Sequence, residues 1–207
     1  MNAPTSRLRL NLGSGNLPLE GYVNVDTRER PGVDMIADAT ALPVPDGAAV
    51  EVQASSLLEH FRDPYAVLDE AHRVLAPDGV LVVRVPSPWS QAGMLDPTHV
   101  FLADLKQWRQ ILGGYFERVR VRAEGVRYRD SKLLVALQYA AIHGLRLREY
   151  AQVWVLTASG RRAAPTRAYI PWWLEEKYLP AAEGGDSANS EPAGGGHPND
   201  SGTGHRP

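Results

Sequence analysis

The chain contains no cysteine. A disulfide scaffold, a thiolate zinc site and a cysteine nucleophile are therefore excluded. No apolar run approaches the roughly 18 residues that a membrane-spanning helix needs. The opening MNAPTSRLRL lacks the apolar stretch of a secretory signal. Cytosol is the expected compartment, and no membrane partner is expected. An excess of one charge is missing too. The 207 residues carry 22 Lys and Arg against 24 Asp and Glu, a net charge of −2. Four of those acids and a single Arg lie beyond residue 180, so the body is almost neutral. Proteins that bind duplexes usually show a strong basic excess, and a nucleic-acid partner is not expected here.

What is present is an ordinary globular composition, 43% hydrophobic, enough for one domain with a core. Residues 181–207 hold no large apolar side chain. Such a segment cannot offset its ordering entropy and reads as a disordered tail. Residues 1–180 read as one domain. Within it, 131–148 forms an inserted helix and 165–180 an aromatic C-terminal extension. The extension contains AYIPWWLEEKYLP. It suits packing on the sheet, a substrate lid or a homodimer contact, because exposed aromatic clusters mark interfaces.

Short apolar runs predict strands at Arg7–Leu12, Tyr22–Val25, Met35–Ala37, Val50–Ala54, Val80–Val85, Arg118–Ala123 and Gln152–Ala158. GVLVVRV at 79–85 is almost continuously apolar, as a strand covered on both faces should be. Before it, Asp63 can cap a helix and Pro64 fits its first turn. Val67, Leu68, Ala71, Val74 and Leu75 share one face, and Pro77 with Gly79 ends it. His72 falls on the face expected to be solvated. A further helix is expected over Leu102–Leu112, ended by Gly113-Gly114. Another is expected over Lys132–Leu147, with a broad leucine face. Alternation of strand and helix implies an α/β fold with a doubly wound, mostly parallel seven-stranded sheet.

The first strand runs into Gly13-Ser14-Gly15. Glycines there permit positive φ and close approach of a ligand to the backbone; an ordinary tight turn would use them too. A dinucleotide loop wants Gly-x-Gly-x-x-Gly and an acid about 20 residues on. Here Pro18 takes the third glycine's place and Asp26 follows after only 13 residues. The link NLPLEGY is too short for a full helix, whose N-terminus would hold a pyrophosphate. The spacing suits a ligand with a ribose to hold and no phosphate to cradle.

These stretches, taken in order, resemble the class I S-adenosylmethionine-dependent methyltransferases. LNLGSGN resembles their first motif, VNVD the second strand with its ribose-binding acid, and IADATALP the segment whose acid faces the adenine amine. ASSLLEHF resembles the close of the fourth strand, and VLAPDGVLVVRVP the turn and strand that follow. The resemblance covers roughly Arg7 to Pro86, with a weaker continuation to Ala158. It implies S-adenosyl-L-methionine as cofactor, bound by Asn11, Gly13, Ser14, Gly15, Asp26, Asp38, Ala39 and Ser55. The short GYVNVD link resembles a subgroup of small enzymes of sugar, cell-surface or secondary metabolite pathways. Two positions depart from the pattern. Asn11 stands where the family commonly has an acid, and Ser56 where the subgroup often has His.

Methyl transfer to a hydroxyl is helped by a base, and histidine is the natural choice near neutral pH. His99 in MLDPTHVF is the leading candidate, with Asp96 orienting it, and His60 in LLEHF is the second. Asp96 and Thr98 could instead cap the next helix, and His60 could simply cap its turn. Asp96, His99, Glu59 and His60 could also be read as an oxygen and nitrogen metal site. Nothing in the spacing demands it, and no metal is expected. The expected function is methylation of a small-molecule acceptor at oxygen. The alternatives are methylation of RNA or protein, suggested by Arg118, Arg120 and Arg122, and a non-catalytic cofactor-binding subunit, suggested by Asn11 and Ser56.

Overall fold

The apolar runs become strands wherever both faces can be covered. In the computed structural model, which describes residues 8–124, 132–145, 151–167, 169–171 and 174–178, they form one seven-stranded sheet. Its strands are β1 (Leu8–Leu12), β2 (Val23–Asp26), β3 (Met35–Ile36), β4 (Ala49–Ser55), β5 (Leu75–Pro86), β6 (Phe116–Glu124) and β7 (Val153–Arg161). Their order is β3-β2-β1-β4-β5-β7-β6. The first five strands pair in parallel, and β7 runs antiparallel between β5 and β6. The winding direction reverses between β1 and β4. In an open α/β sheet the carboxyl ends of the strands at that reversal form a crevice. The opposite end is clamped by charge. Glu51 accepts from Arg9 Nη2 (2.6 Å) and from the Tyr22 hydroxyl (2.5 Å), tying β1, β2 and β4 together.

Helix α1 (Pro64–Val74) begins as expected: the Asp63 side chain accepts from Tyr65 N, and Pro64 takes the first position. Val67, Leu68, Ala71 and Val74 are buried. Its end differs from expectation. The helix stops at Val74 and β5 starts at once. Ala49 pairs with Leu75 but Glu51 pairs with Val80, so Ala76–Gly79 is a bulge in β5. A bulge accommodates Pro77, which has no N–H for the ladder. His72 is also corrected. It is buried, at 6% exposure. One ring nitrogen, Nε2, lies 2.9 Å from the Arg162 carbonyl, and the ring lies edge-on to Tyr115 and Phe116.

The short helix α2 (Gln91–Leu95) is capped by Ser90. Helix α3 (Leu105–Tyr115) starts later than predicted because Asp104 and Gln107 form a capping box. It also runs through Gly113-Gly114 rather than ending there. Thr166 N donates to the Gly114 carbonyl (2.9 Å), and a Cβ on Gly114 would overlap the Thr166 carbonyl oxygen. The glycine therefore serves close packing, not termination. Helix α4 (Lys132–Tyr139) passes into a π-helical turn at Ala140–Gly144. It lies between β6 and β7 in sequence, as the inserted helix should; residues 131 and 146–148 of that prediction fall outside the described residues. Its expected apolar face is not buried: Leu133, Leu134, Leu137 and Leu145 are exposed. Arg118, Arg120 and Arg122 project to solvent from the edge strand β6, where charge discourages pairing with another sheet.

The chain divides after Pro171 into two units. Of the second, helix α5 (Glu175–Tyr178) is described. Trp172, Trp173 and the tail 181–207 lie outside the described residues. Among the described residues no helix is long and apolar enough to cross a membrane.

Two outcomes follow from this packing. Gly114→Ala should cost about 1–3 kcal/mol of overpacking. Gly113→Ala, where a Cβ meets nothing within 4 Å, should be neutral or gain up to about 1 kcal/mol of helix propensity. Denaturant titration of the pair checks this, and equal effects would refute the packing role. Burial pushes His72 below its usual 6.5, partly opposed by the Arg162 carbonyl. The unfolded chain then takes up the proton more readily. The stability owed to neutral His72 is complete above 6.5 and is lost as pH falls toward the folded value. Between pH 7.5 and 5.5 the wild type should lose more thermal stability than His72→Gln.

Candidate active site at the carboxyl edge of the sheet

β1 delivers Gly13 and Gly15 in left-handed conformation, with φ of +64° and +52°. That geometry turns the loop onto the end of β2. Ser14 N donates to Val25 O (3.0 Å) and Gly15 N to Asp26 Oδ2 (2.9 Å), while Asp26 Oδ1 accepts from Arg28 N (3.0 Å). Residues 13–22 then reach β2 without any helix. The loop opens onto a cavity of about 200 Å3 whose lining includes Gly13, Asp26, Thr27, Ala39, Leu57 and Phe61.

Three features of the cavity and of the glycine turn beside it suit a nucleoside with an attached amino acid. Asp26 offers a carboxylate at the end of β2. The Ser14 hydroxyl oxygen is buried and has no hydrogen-bond partner. A side chain at Gly15 would approach nothing closer than the Gly13 carbonyl at 4.0 Å, so the space above the loop is free. Ala39 lines the cavity. Asp38 beside it is exposed, and its Oδ1 accepts from both the N–H and the hydroxyl of Thr40, which hold its carboxyl below the usual range. Ser55 accepts from Gln53 Nε2 (3.1 Å) and lines neither this cavity nor the second one.

Asn11 is not brought to the cavity either. It is 3% exposed, and its amide donates to Asn24 Oδ1 (2.9 Å) and to Leu17 O (3.4 Å). Asn24 in turn accepts from Leu19 N (2.7 Å) and donates to Leu19 O and to Asp34 Oδ2. The residue standing where an acid is common thus serves the β1–β2 link.

A second cavity, of about 550 Å3, opens beyond β4 and β5. Its lining includes Ser56, Glu59, His60, Leu95, Asp96 and His99. Ser56, with φ +49°, is the one non-glycine residue in positive φ among the described residues, a strain that such positions keep only where the surroundings enforce it. The structure brings His60 and His99 together, with ring centroids 4.9 Å apart. His99 Nδ1 lies 3.2 Å from the Gly93 carbonyl, and His60 Nδ1 3.2 Å from the Thr98 carbonyl. Carbonyl oxygens only accept, so each Nδ1 carries a proton, and in the neutral imidazole Nε2 then keeps its lone pair; the Thr98 hydroxyl also lies 3.1 Å from His60 Nδ1. Gly93, rather than Asp96, orients His99. Asp96 Oδ1 is taken by the N–H and hydroxyl of Thr98, and Oδ2 stays 3.7 Å from His99 Nε2. Nor does Asp96 cap α3, since Asp104 does.

Glu59 lies in the 3-10 turn Leu58–His60, with a donor atom within 4.8 Å of one on each histidine. Its backbone carbonyl accepts from Val100 N (2.8 Å) and Phe101 N (3.0 Å), pinning the Asp96–His99 loop to this turn. The side chain is 1% exposed and neither carboxylate oxygen has a hydrogen-bond partner. Burial pushes its carboxyl above the usual range, against the opposing influence of its own backbone N–H and of the two histidines. Sequence reading did not single out this burial, nor the roles of Leu57, Phe61 and Thr27 as cavity walls. The available signal was the segment LLEHF, which places an acid between an apolar pair and a histidine.

This sheet order and crevice are the Rossmann-like fold of methyltransferases. Residues 21–83 match the family described as a methyltransferase domain. A demethylmenaquinone methyltransferase of Renibacterium salmoninarum is 44% identical over 64 residues, 30% of this chain and 27% of that protein. The chain thus matches little more than a quarter of that relative's length. A solved S-adenosylmethionine-dependent methyltransferase from Archaeoglobus fulgidus superposes with a TM-score of 0.53, over 74% of this chain and 86% of that one, at 19% identity. The [4+2]-cyclase SpnF superposes at 0.52 with 18% identity, over 76% of this chain and 75% of its own. At these identities the likeness concerns the fold, which hosts more than one chemistry.

The Asn11 network makes a sharp prediction. Asn11→Asp would set a carboxylate against Asn24 Oδ1. Asn24 cannot turn its amide round without opposing its Leu19 and Asp34 contacts. The substitution should cost about 1–3 kcal/mol and leave ligand affinity at the first cavity unimproved, as paired unfolding and calorimetric titrations would reveal.

Proposed function

We propose that the chain transfers a methyl group from S-adenosylmethionine to a hydroxyl of a small-molecule acceptor. The observation that carries this reading is the pair of cavities at one sheet edge, divided by the turn around Leu58–His60: Leu57 lines the first and Ser56 the second. The first has the residues for the cofactor. Asp26 would take the ribose hydroxyls, Ala39 with Asp38 the adenine, and Ser14 with the loop N–H groups the amino-acid end. The cofactor, when bound, supplies a methyl group already activated on a sulfonium.

The chain's own residues then have three tasks: to orient the acceptor, to exclude water and to take a proton. The Nε2 lone pair of His99, freed by the Gly93 contact, suits the last. Exposed Trp89, Met94 and Leu95 beside the second cavity favour an acceptor with an apolar body. A secondary metabolite or lipid-linked sugar fits better than a free sugar. The arginines of β6 support RNA poorly. They stand on the edge strand, and Arg122 is engaged by Glu124 at 2.7 Å.

Calorimetry and turnover test the proposal separately. Asp26→Ala should weaken S-adenosylmethionine binding roughly 10- to 100-fold, the value of hydrogen bonds to a charged group. His99→Ala should keep that binding and lose about 10²–10⁴ in the rate of S-adenosylhomocysteine release with a panel of phenolic and glycosyl acceptors. No binding of the cofactor by the wild type would refute the reading.

A further inference from the structure

A carboxylate that is 1% exposed with both oxygens unpartnered calls for an explanation. Burial of an unpaired ionised group is expensive, and proteins keep such groups where a cation or a metal compensates them. The surroundings of Glu59 point one way. One donor atom from each of Glu59, His60 and His99 lies within 4.8 Å of the others. Donors to one ion, at about 2.0–2.2 Å each, stand roughly 3–4.4 Å apart, so only a small closing of the side chains is needed. Both imidazoles donate Nδ1–H to backbone carbonyls, of Gly93 and Thr98. This is the outer-shell arrangement that orients metal-binding histidines. The groups differ in exposure: Glu59 is buried, His99 intermediate and His60 exposed, so the cluster has a closed floor and an open side.

We propose that Glu59, His60 and His99 bind one divalent first-row transition ion, with its remaining positions facing the 550 Å3 cavity. One carboxylate and two imidazoles suit zinc, cobalt, nickel, manganese or iron(II) better than magnesium or calcium, which prefer all-oxygen ligation. The uncommitted Oδ2 of Asp96, 3.7 Å from His99 Nε2, is the nearest further donor the geometry offers. Taken with the methyl-transfer reading, on which this role rests, the ion would bind the acceptor's hydroxyl and make it more acidic. With the ion bound, the His99 lone pair holds the metal instead of taking the proton: the O–H bond breaks with its electron pair left on oxygen, and the proton passes to water on the His60 side. That oxygen then forms the new O–CH3 bond while the S–CH3 bond breaks toward sulfur.

The test uses the full chain without an affinity tag, dialysed against EDTA and then against chelator-free buffer. Zinc chloride and cobalt chloride are titrated by calorimetry. The expected result is one ion per chain with a submicromolar Kd, and a cobalt visible spectrum of nitrogen and oxygen ligation. Glu59→Gln, which keeps the shape and removes the charge, and His60→Gln on the exposed side should each weaken binding at least 100-fold. His197→Ala with His205→Ala, in the tail, should leave it unchanged. No binding at 100 µM metal, or binding abolished only by the tail pair, overturns the site. Should the variants not fold, X-ray absorption of the cobalt-loaded wild type decides: two imidazoles and a carboxylate support the site, and any other ligand set refutes it. S-adenosylmethionine is titrated in EDTA alongside. Cofactor binding without metal binding sinks this inference alone, and metal binding without cofactor binding sinks the methyl-transfer reading alone.

Discussion

Everything at the ligand edge depends on how β1 is joined to β2. Parallel neighbours need a crossover, and that crossover is usually a helix packed on the sheet. Here residues 13–22 make the passage with none. A buried polar hub takes the helix's place. Asn24 on β2 satisfies Asn11 on β1, both backbone groups of Leu19 in the link, and Asp34 ahead of β3. Such a network stabilises only when every member is satisfied. With these bonds made, the link can be short, and the glycine loop is held against the end of β2 with Asp26 at its side. A helix N-terminus, the usual seat of a pyrophosphate, never forms, and the crevice is left to a ligand without one.

The same economy shapes the second half of the site. The loop after β5 has no long helix to anchor it. The backbone carbonyl of Glu59 does so instead by accepting from Val100 and Phe101. One residue thereby binds the loop through its main chain and presents a buried carboxylate through its side chain. The histidines beside it are fixed in one tautomer by carbonyl partners. Two free imidazole lone pairs facing a cavity beside a buried acid form a reactive arrangement whether a proton or a metal ion occupies it. The strained backbone of Ser56 at the mouth of the same cavity fits the pattern in which functional edges carry local strain.

Most of the sheet was legible because its signals are local. Continuous apolar runs, a proline after a capping aspartate and a glycine turn all act within a few residues. Six of the seven strands lie within three residues of the apolar runs that placed them, and β5 begins five residues earlier. The misreadings share a different cause. His72 looked solvated on its own helix, but Arg162, 90 residues away, supplies the partner that buries it. Gly113-Gly114 looked like a helix stop, but the close passage of Thr166 explains the second glycine. Pro77 and Gly79 looked like a terminator, but β4 turns them into a bulge. Each depends on an element far along the chain, and local pattern carries no trace of that. The site divides in the same way. Gly13 and Asp26, which line the first cavity, stand out locally as a glycine turn and a strand-end acid, whereas the burial of Glu59 does not.

The Asn11 network also bears on whether the fold has kept a chemistry. An amide at Asn11, where the resemblance leads one to expect an acid, looks like the mark of a lost site when only the sequence is read. In the structure that amide has two acceptors and ties β1 to the link and to β2, while the buried polar atoms without a partner include the Ser14 hydroxyl in the glycine turn and the Glu59 carboxylate at the second cavity. A scaffold that had lost its ligands would gain stability by replacing exactly such groups, since a buried polar atom without a partner costs about 1–3 kcal/mol or more. The Ser14 hydroxyl beside the glycine turn and the Glu59 carboxylate lining the second cavity are groups of that kind, and both lie at the carboxyl edge of the sheet, where a chain shaped to receive ligands would keep them.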